Sequence, residues 1–187
     1  MNGHVPGPLE MVLMLWEARL RSAQYRRYID SLKLNGSERV LDFGSGTGVP
    51  ARFLAQRLLA GSGHLTCLDV SPQWLAICKR TLCGMLNVDF MCGKLSDLAI
   101  PEASYDALLC QFALHDVPEQ ARAGIMAEWA RVVRLAGRLF VREHLGKHGM
   151  PLHALRTQLA EGGWQEGAWS TRNIAGLGAV YEGTWGR

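Results

Sequence analysis

The sequence has little of what marks a membrane-spanning, zinc-binding or nucleic-acid-binding protein. None of its apolar runs reaches the roughly 20 residues that a helix needs to cross a bilayer. Its five cysteines are odd in number and include no Cys-x-x-Cys pair, so no metal site is expected. A net charge of +3 is too small to predict a dedicated nucleic-acid binder.

The opening residues Met-Asn-Gly-His-Val-Pro-Gly-Pro also lack the basic and apolar regions of a signal peptide. The cysteines are therefore interpreted as reduced core residues of a cytoplasmic protein. A length of 187 residues is enough for one domain with a sizeable core.

What the sequence does have is a regular alternation of apolar strands and amphipathic helices. Strands are predicted at 38–43, 64–69, 87–92, 105–110, 137–143, 164–170 and 177–185, and helices at 9–34, 50–60, 72–83, 119–135 and 151–161. This alternation predicts a parallel sheet covered by helices on both faces. Because ligands of such sheets bind beyond the carboxyl ends of the strands, residues just after each strand are the informative ones.

A glycine-rich turn follows the first predicted strand. Gly44-Ser45-Gly46-Thr47-Gly48 joins that strand to a helix, and Asp42 stands two positions before it. A dinucleotide-binding loop would have its third glycine at position 49, which is Val49. The Asp42 carboxylate would also repel a pyrophosphate at the helix N-terminus, whereas it suits a cation such as the ammonium of S-adenosylmethionine.

With Asp42 before Gly44, Gly46 and Gly48, the sequence resembles the class I S-adenosylmethionine-dependent methyltransferases of the small-molecule, type 11-like kind. The resemblance covers residues 36–145. It implies a doubly wound α/β fold with a mostly parallel seven-stranded sheet whose last strand is antiparallel. It also implies methyl transfer from S-adenosylmethionine to a small or lipid-like acceptor, with Ser45 and the three glycines among the cofactor contacts. We expect a single domain over 1–187, with a helical lid (1–35), a cofactor-binding core (36–145) and a closing helix and strand pair (146–187).

The second and third strand ends carry the nucleoside part of this prediction. The resemblance places the carboxylate of Asp69 on the ribose hydroxyls and Val70 against the adenine, while Ser71 is predicted to cap the next helix. Where the family has Gly-Asp after the third strand, this chain has Gly93-Lys94. Lysine has no acceptor for the adenine amino group, so either adenine recognition is weaker or Lys94 points away, with backbone near Leu95 holding the adenine edge. Asp97 is a further candidate for that contact.

The fourth and fifth strand ends raise the question of catalysis. The resemblance assigns Gln111 and Phe112 to the methionine part of the cofactor. His115 is interpreted either as a general base or as a structural histidine of the loop. Glu143 and His144 are candidates for the acceptor pocket, the alternative being a solvated strand end. Because the sulfonium is already activated, alignment alone supplies much of the acceleration, and no catalytic residue is assigned.

The first predicted helix has an apolar first half and a charged second half, in which Glu17 and Arg21 are spaced to pair. Tyr25 and Tyr28 are weaker candidates for the acceptor pocket. Three interpretations of this helix stay open: a lid, a dimer contact, or an interfacial helix on a membrane surface. The chain is accordingly expected to be a monomer or a homodimer, with peripheral membrane contact as one alternative.

Two other functions also stay open. A module that binds S-adenosylmethionine without transferring its methyl group is suggested by Lys94 and by the missing base. A nucleotide-dependent oxidoreductase is disfavoured by Val49 and Asp42.

Overall fold

A computed structural model describes residues 7–146 and 149–187. Its elements, in chain order, are α1 (Pro8–Leu20), α2 (Ser22–Ser31), β1 (Arg39–Phe43), α3 (Val49–Leu59), β2 (His64–Asp69), α4 (Pro72–Thr81), β3 (Val88–Cys92), a 3-10 helix (Leu95–Asp97), β4 (Tyr105–Gln111), α5 (Glu119–Val132), β5 (Val133–His144), α6 (Leu152–Glu161), β6 (Gln165–Ile174) and β7 (Gly178–Gly186). Residues 1–6 of the predicted lid lie outside the described residues.

The strands form one seven-stranded sheet in the order β3-β2-β1-β4-β5-β7-β6. β2 pairs in parallel with β1 and β3, and β4 pairs in parallel with β5. β7 runs antiparallel to both β5 and β6. The prediction of a mostly parallel sheet with an antiparallel last strand is therefore confirmed.

Two compact units are distinguished within the described chain, a first unit of residues 7–94 and a second unit of residues 95–187. In the first unit, β2 is buried from Leu65 to Asp69 because it lies between two strands and packs against α3 and α4. In the second unit, Trp129 of α5 and Tyr181 and Trp185 of β7 are among the largest fully buried side chains. In each unit, the strands that carry the predicted site residues are therefore anchored by a well-packed core.

The first predicted helix, 9–34, is wrong as a single element. The chain turns at Arg21 (φ −89°, ψ 7°) and forms two helices, although neither glycine nor proline marks the turn. The turn lets α2 bury Tyr25, Tyr28 and Ile29 and pack on α3. The predicted Glu17–Arg21 pair is confirmed, with Arg21 Nη2 2.7 Å from Glu17 Oε1. No helix in the described ranges is both long and apolar enough to pass through a bilayer.

The predicted helix 119–135 is also too long at its C-terminal end. It stops at Val132, and Val133 is extended (φ −88°, ψ 131°) and pairs with Tyr105. The register then shifts before Arg138 pairs with Ala107. A β-branched, buried residue gains more by completing the sheet than by adding to the helix, so tertiary pairing overrides the helical pattern.

Candidate functional site

The glycine-rich turn of the first unit is fixed to the end of β2. Gly44, Gly46 and Gly48 have φ of 74°, 49° and 72°, a region that L side chains rarely adopt. The N–H groups of Gly44 and Ser45 donate to the Leu68 carbonyl over 2.8 and 3.1 Å. The turn therefore follows from the chain geometry at two strand ends and needs no ligand to hold it.

Gly46 and Gly48 have opposite surroundings. A Cβ at Gly48 would lie 2.7 Å from Leu82 Cδ1 and 2.8 Å from Cys78 Sγ, because α4 packs directly on the turn. A Cβ at Gly46 would meet nothing closer than the Gly44 carbonyl oxygen at 3.9 Å. Gly48 is thus required by packing, whereas Gly46 borders open space.

Asp69 ends β2 and binds the turn through its carboxylate. Its Oδ2 accepts a hydrogen bond from the Gly46 N–H and its Oδ1 one from the Ser71 N–H, both over 2.9 Å. Burial raises the pKa of Asp69, and the backbone N–H donors of Ser71, Gly46 and Val70 oppose that rise. Ser71 caps α4 as predicted, since its Oγ accepts from the Trp74 N–H over 3.3 Å.

Asp42 is the second buried carboxylate of the first unit. Its side chain lies in β1 next to the turn, and the residue is 4% exposed. Burial raises its pKa to about 7, and the charge of Asp69 adds to the rise while a hydrogen bond from Ser45 opposes it. Among the described residues, no cationic side chain forms an ion pair with Asp42. Such a carboxylate would be stabilised by a cationic ligand.

The same turn is poorly suited to a pyrophosphate. An anion-binding loop needs N–H groups that point at the ligand. Here the N–H groups of Gly44, Ser45 and Gly46 already donate to Leu68 and Asp69, and that of Gly48 donates to the Ser45 carbonyl. The structure therefore adds a third argument against a dinucleotide to those from Val49 and Asp42.

At the end of β3, Lys94 is exposed and Gly93 donates its N–H to the Asp69 carbonyl over 3.1 Å. Val70 is half-buried. In the second unit, Leu95 is buried in the 3-10 helix. The roles predicted for Val70 and Leu95 toward adenine stay predictions.

In the second unit, the residues that follow β4 turn sharply. Gln111 ends the strand and is buried, and its Oε1 has no hydrogen-bond partner among the described residues. Phe112 has φ of 53°, which is strained for a bulky residue. Its N–H donates to the Arg142 carbonyl over 2.8 Å, and its ring stacks on His144 with centroids 4.2 Å apart.

Glu143 lies completely buried beneath this turn. Its Oε2 accepts from the N–H groups of Leu114 (2.9 Å) and His115 (3.2 Å), and its Oε1 accepts from the His144 N–H (2.9 Å). The same Oε1 is 2.7 Å from His115 Nδ1. Glu143 is therefore not a solvated strand end, and its carboxylate is directed into the loop.

The two histidines of this cluster differ in their surroundings. The bond to Glu143 raises the pKa of His115, with burial opposing it, and His115 Nε2 lies 3.6 Å from Asp116 Oδ1. His144 Nδ1 is 3.2 Å from the Leu177 carbonyl oxygen, and burial lowers the pKa of His144. Their rings meet edge to face at 5.6 Å.

Residues 40–137, just over half of the chain, match the methyltransferase domain family. The chain belongs to the class I S-adenosylmethionine-dependent methyltransferase family. A demethylmenaquinone methyltransferase of Tropheryma whipplei is 34% identical over 125 residues, covering 66% of this chain and 49% of the relative. A ubiquinone/menaquinone biosynthesis C-methyltransferase of Methylobacterium nodulans is 33% identical over 110 residues, covering 56% and 41%. The chain thus spans about half the length of the curated relatives it matches, or less.

Solved structures of methyltransferases share the fold. An S-adenosylmethionine-dependent methyltransferase from Aquifex aeolicus superposes with a TM-score of 0.78 at 16% identity, covering 97% of this chain and 98% of the other. A TehB-like methyltransferase from Corynebacterium glutamicum gives 0.75 at 16% identity, covering 97% and 100%. At this identity the likeness concerns the fold alone.

The first unit of this methyltransferase-family chain fits the family's methyl donor, S-adenosylmethionine. The donor carries an ammonium, which the buried carboxylate of Asp42 would bind. A ribose hydroxyl would donate to the Asp69 carboxylate, whose roughly four lone-pair sites outnumber the backbone N–H donors of Ser71, Gly46 and Val70. The open space at Gly46 leaves room for a close ligand.

The two tyrosines predicted for the acceptor pocket are buried, and so is an arginine that was not predicted. Tyr25 and Tyr28 are buried in α2, which packs on α3. Sequence reasoning missed Arg142, a fully buried cation whose guanidinium lies 5.2 Å from the Phe112 ring centroid and 3.0 Å from Glu182 Oε1. The available signal was its position inside a predicted strand, directly after the apolar run Leu139-Phe140-Val141.

Proposed function

We propose that this chain transfers a methyl group from S-adenosylmethionine to a small or lipid-like acceptor. The proposal rests on Asp42, a buried carboxylate beside the glycine-rich turn. Among the described residues, no cationic side chain forms an ion pair with it. When bound, S-adenosylmethionine supplies an electrophilic methyl group on a sulfonium.

The residues of the first unit would bind the donor. Asp42 would pair with the ammonium, Asp69 would accept from the ribose hydroxyls, and Val70 would pack against the adenine. The turn at Gly44, Ser45, Gly46 and Gly48 would border it. The contacts assigned to Leu95, Gln111 and Phe112 are predictions from the family resemblance.

The acceptor class is proposed from the relatives. Two of them are named for demethylmenaquinone methylation and for ubiquinone or menaquinone biosynthesis. A quinone-type acceptor with a lipid-like tail is therefore the first to test. A small acceptor without such a tail, the other class that the family resemblance implies, is the second.

The surface of α1 supports contact with a lipid surface. Leu9, Val12, Leu13, Trp16 and Leu20 recur at i, i+3, i+4, i+7 and i+11 and are 61–72% exposed. We call these five residues the α1 stripe. On its opposite face α1 buries Ala18 and contacts α2 and α3. Residues 7–34 carry five basic and three acidic side chains, and Arg19, Arg26 and Arg27 are exposed, which suits an anionic lipid surface.

Vesicle sedimentation tests this contact. The chain should bind vesicles of phosphatidylcholine mixed with phosphatidylglycerol, less at high salt, and Trp16→Ser should weaken binding. Leu86→Ser is the matched control, because Leu86 is 93% exposed but lies outside the α1 stripe. Absence of binding to anionic vesicles would overturn the proposed lipid contact of the α1 stripe. A dimer in sedimentation velocity that Trp16→Ser dissociates would also overturn it.

Calorimetry tests donor binding. S-adenosylmethionine and S-adenosylhomocysteine should bind and NAD should not, and binding of NAD alone would exclude the proposal. Asp69→Ala should weaken binding at least about tenfold, since hydrogen bonds to a charged group contribute about 1.5–3 kcal/mol. Asp89→Ala, an exposed carboxylate on β3, is the control and should bind normally.

Transfer of labelled methyl groups tests catalysis. Reduced demethylmenaquinone, simpler quinols, lipids and amines are offered as acceptors. Labelled product supports the enzyme, and its absence with every acceptor despite donor binding favours the non-catalytic binding module instead.

A further inference from the structure

The His115–Glu143 pair has the geometry of a base held by a carboxylate. Glu143 is completely buried, and a buried carboxylate is costly unless hydrogen-bonded donors surround it. Three backbone N–H groups and the His115 ring provide those donors. The backbone bonds fix the carboxylate, and the fixed carboxylate then fixes the ring.

That contact determines which nitrogen of His115 acts. With Oε1 of Glu143 at 2.7 Å, Nδ1 carries the hydrogen and donates it, so Nε2 of the neutral ring keeps its lone pair. The His115 side chain is 22% exposed, so Nε2 is accessible, with Asp116 as its near charged neighbour at 3.6 Å.

The location of the pair also points to a ligand. His115 follows β4 and Glu143 belongs to the last part of β5, and carboxyl ends of parallel strands are where ligands bind in this class of sheet. Phe112, three residues before His115, has a strained φ of 53° and stacks on His144. Strain of this kind persists where the surroundings impose it and is concentrated at functional sites.

We propose that His115 is the general base for methyl transfer, taking the acceptor's proton on Nε2, and that Glu143 is its positioning residue. This inference rests on the proposed function. S-adenosylmethionine supplies the methyl group and departs as S-adenosylhomocysteine with the electron pair of the broken C–S bond. The acceptor's lone or π pair forms the new bond to carbon, and the proton that the acceptor loses moves to His115 Nε2 and then to water.

Titration of the imidazole nitrogens by NMR tests the pair without donor or acceptor. Charged and titratable groups facing His115 are Glu143, Asp116, His144 and Arg122. In the wild type, His115 should titrate above the ordinary histidine range and, when neutral, carry its hydrogen on Nδ1. Glu143→Gln should lower this pKa, because the hydrogen bond to the Glu143 carboxylate is the main cause of its rise. A neutral form protonated on Nε2 would overturn the assignment.

His64 offers a matched control. It also contacts a carboxylate, Asp89, with Nε2 2.9 Å from Oδ2, but the two side chains are 38% and 68% exposed. Its replacement by glutamine tests whether losing any histidine–carboxylate pair affects turnover.

Kinetics complete the test. His115→Gln should lower kcat by about 100-fold or more while donor affinity by calorimetry is unchanged, and His64→Gln should leave both as in the wild type. Glu143→Gln should move the acidic limb of the kcat/KM profile to lower pH, because activity needs neutral His115. If Glu143→Gln fails to fold, His115→Gln and His115→Asn decide alone. A kcat of His115→Gln within twofold of the wild-type value would overturn this inference only. A wild type that binds no donor would overturn the proposed function.

Discussion

Each unit buries a carboxylate near the carboxyl end of a strand, and the two carboxylates differ in the groups that surround them. Glu143 of the second unit is surrounded by three backbone N–H groups and the His115 ring. Asp42 of the first unit is nearly as buried, but no cation among the described residues pairs with it, and its pKa is raised to about 7.

The difference shows how burial can serve two purposes. A carboxylate whose hydrogen bonds are satisfied by the protein's own donors needs no ligand, and it can orient a neighbouring side chain, here the ring of His115. A carboxylate buried without a cation is destabilising in the free protein and is relieved by a cationic ligand. Two acids of similar burial are thus expected to respond oppositely to neutralisation.

The largest expected effect is the pH dependence that Asp42 imposes. Its folded pKa of about 7 lies above the value of 3.8 for an unperturbed group, so protonation favours the folded state. This stabilisation is complete below about pH 4 and is lost as the pH rises through 7. A difference of roughly 3 units corresponds to about 4 kcal/mol.

Asp42→Asn should remove that loss. Urea unfolding of the two proteins between pH 4 and pH 8 should give curves whose difference grows by about this amount in favour of the variant. Parallel curves would show that Asp42 is paired, and donor binding by the variant should be weaker at pH 8.

Replacement of Gly46 and of Gly48, both in the turn, should change the free energy of unfolding by different amounts. Gly48→Ala should lower the free energy of unfolding by about 3 kcal/mol, because the Cβ meets Leu82 and Cys78 and φ is positive. Gly46→Ala should cost only about 1 kcal/mol, from backbone strain, yet weaken donor binding. Equal losses in chemical denaturation would mean that packing does not distinguish the two positions.

Neutralising Glu143 should be unfavourable where neutralising Asp42 is favourable. Glu143→Gln presents an N–H₂ group to donors that now meet oxygen, so it should lower the free energy of unfolding at pH 8 by about 2 kcal/mol. Asp42→Asn should raise it at the same pH. The same sign for both variants would contradict the comparison.

The smallest expected effect concerns the cap beside Asp69. Ser71→Ala removes the acceptor for the Trp74 N–H and should cost about 1 kcal/mol in thermal or urea unfolding. Ser71→Thr keeps a hydroxyl and should cost less. If the threonine variant lost as much as the alanine variant, the cap would not be the source of the effect.

Much of the first unit's candidate site could be predicted because its signals are local. Three glycines within five residues predict the turn at 44–48, and Asp42 and Asp69 each stand at the end of an apolar strand. Strand and helix alternation likewise predicted the parallel sheet. Its antiparallel last strand was implied by the family resemblance. Periodicity failed at Arg21 and at Val133, where burial of α2 on α3 and pairing with β4 decided the boundaries.

By itself, the sequence determined the family, the fold and the residues available at each strand end, since these follow from short-range pattern. Tertiary structure alone decided what those residues contact. Glu143 and His115 are 28 positions apart, and only the parallel pairing of β4 with β5 brings the carboxylate beneath the imidazole. Whether a buried acid is satisfied or left without a partner depends on such long-range contacts, which no local pattern records.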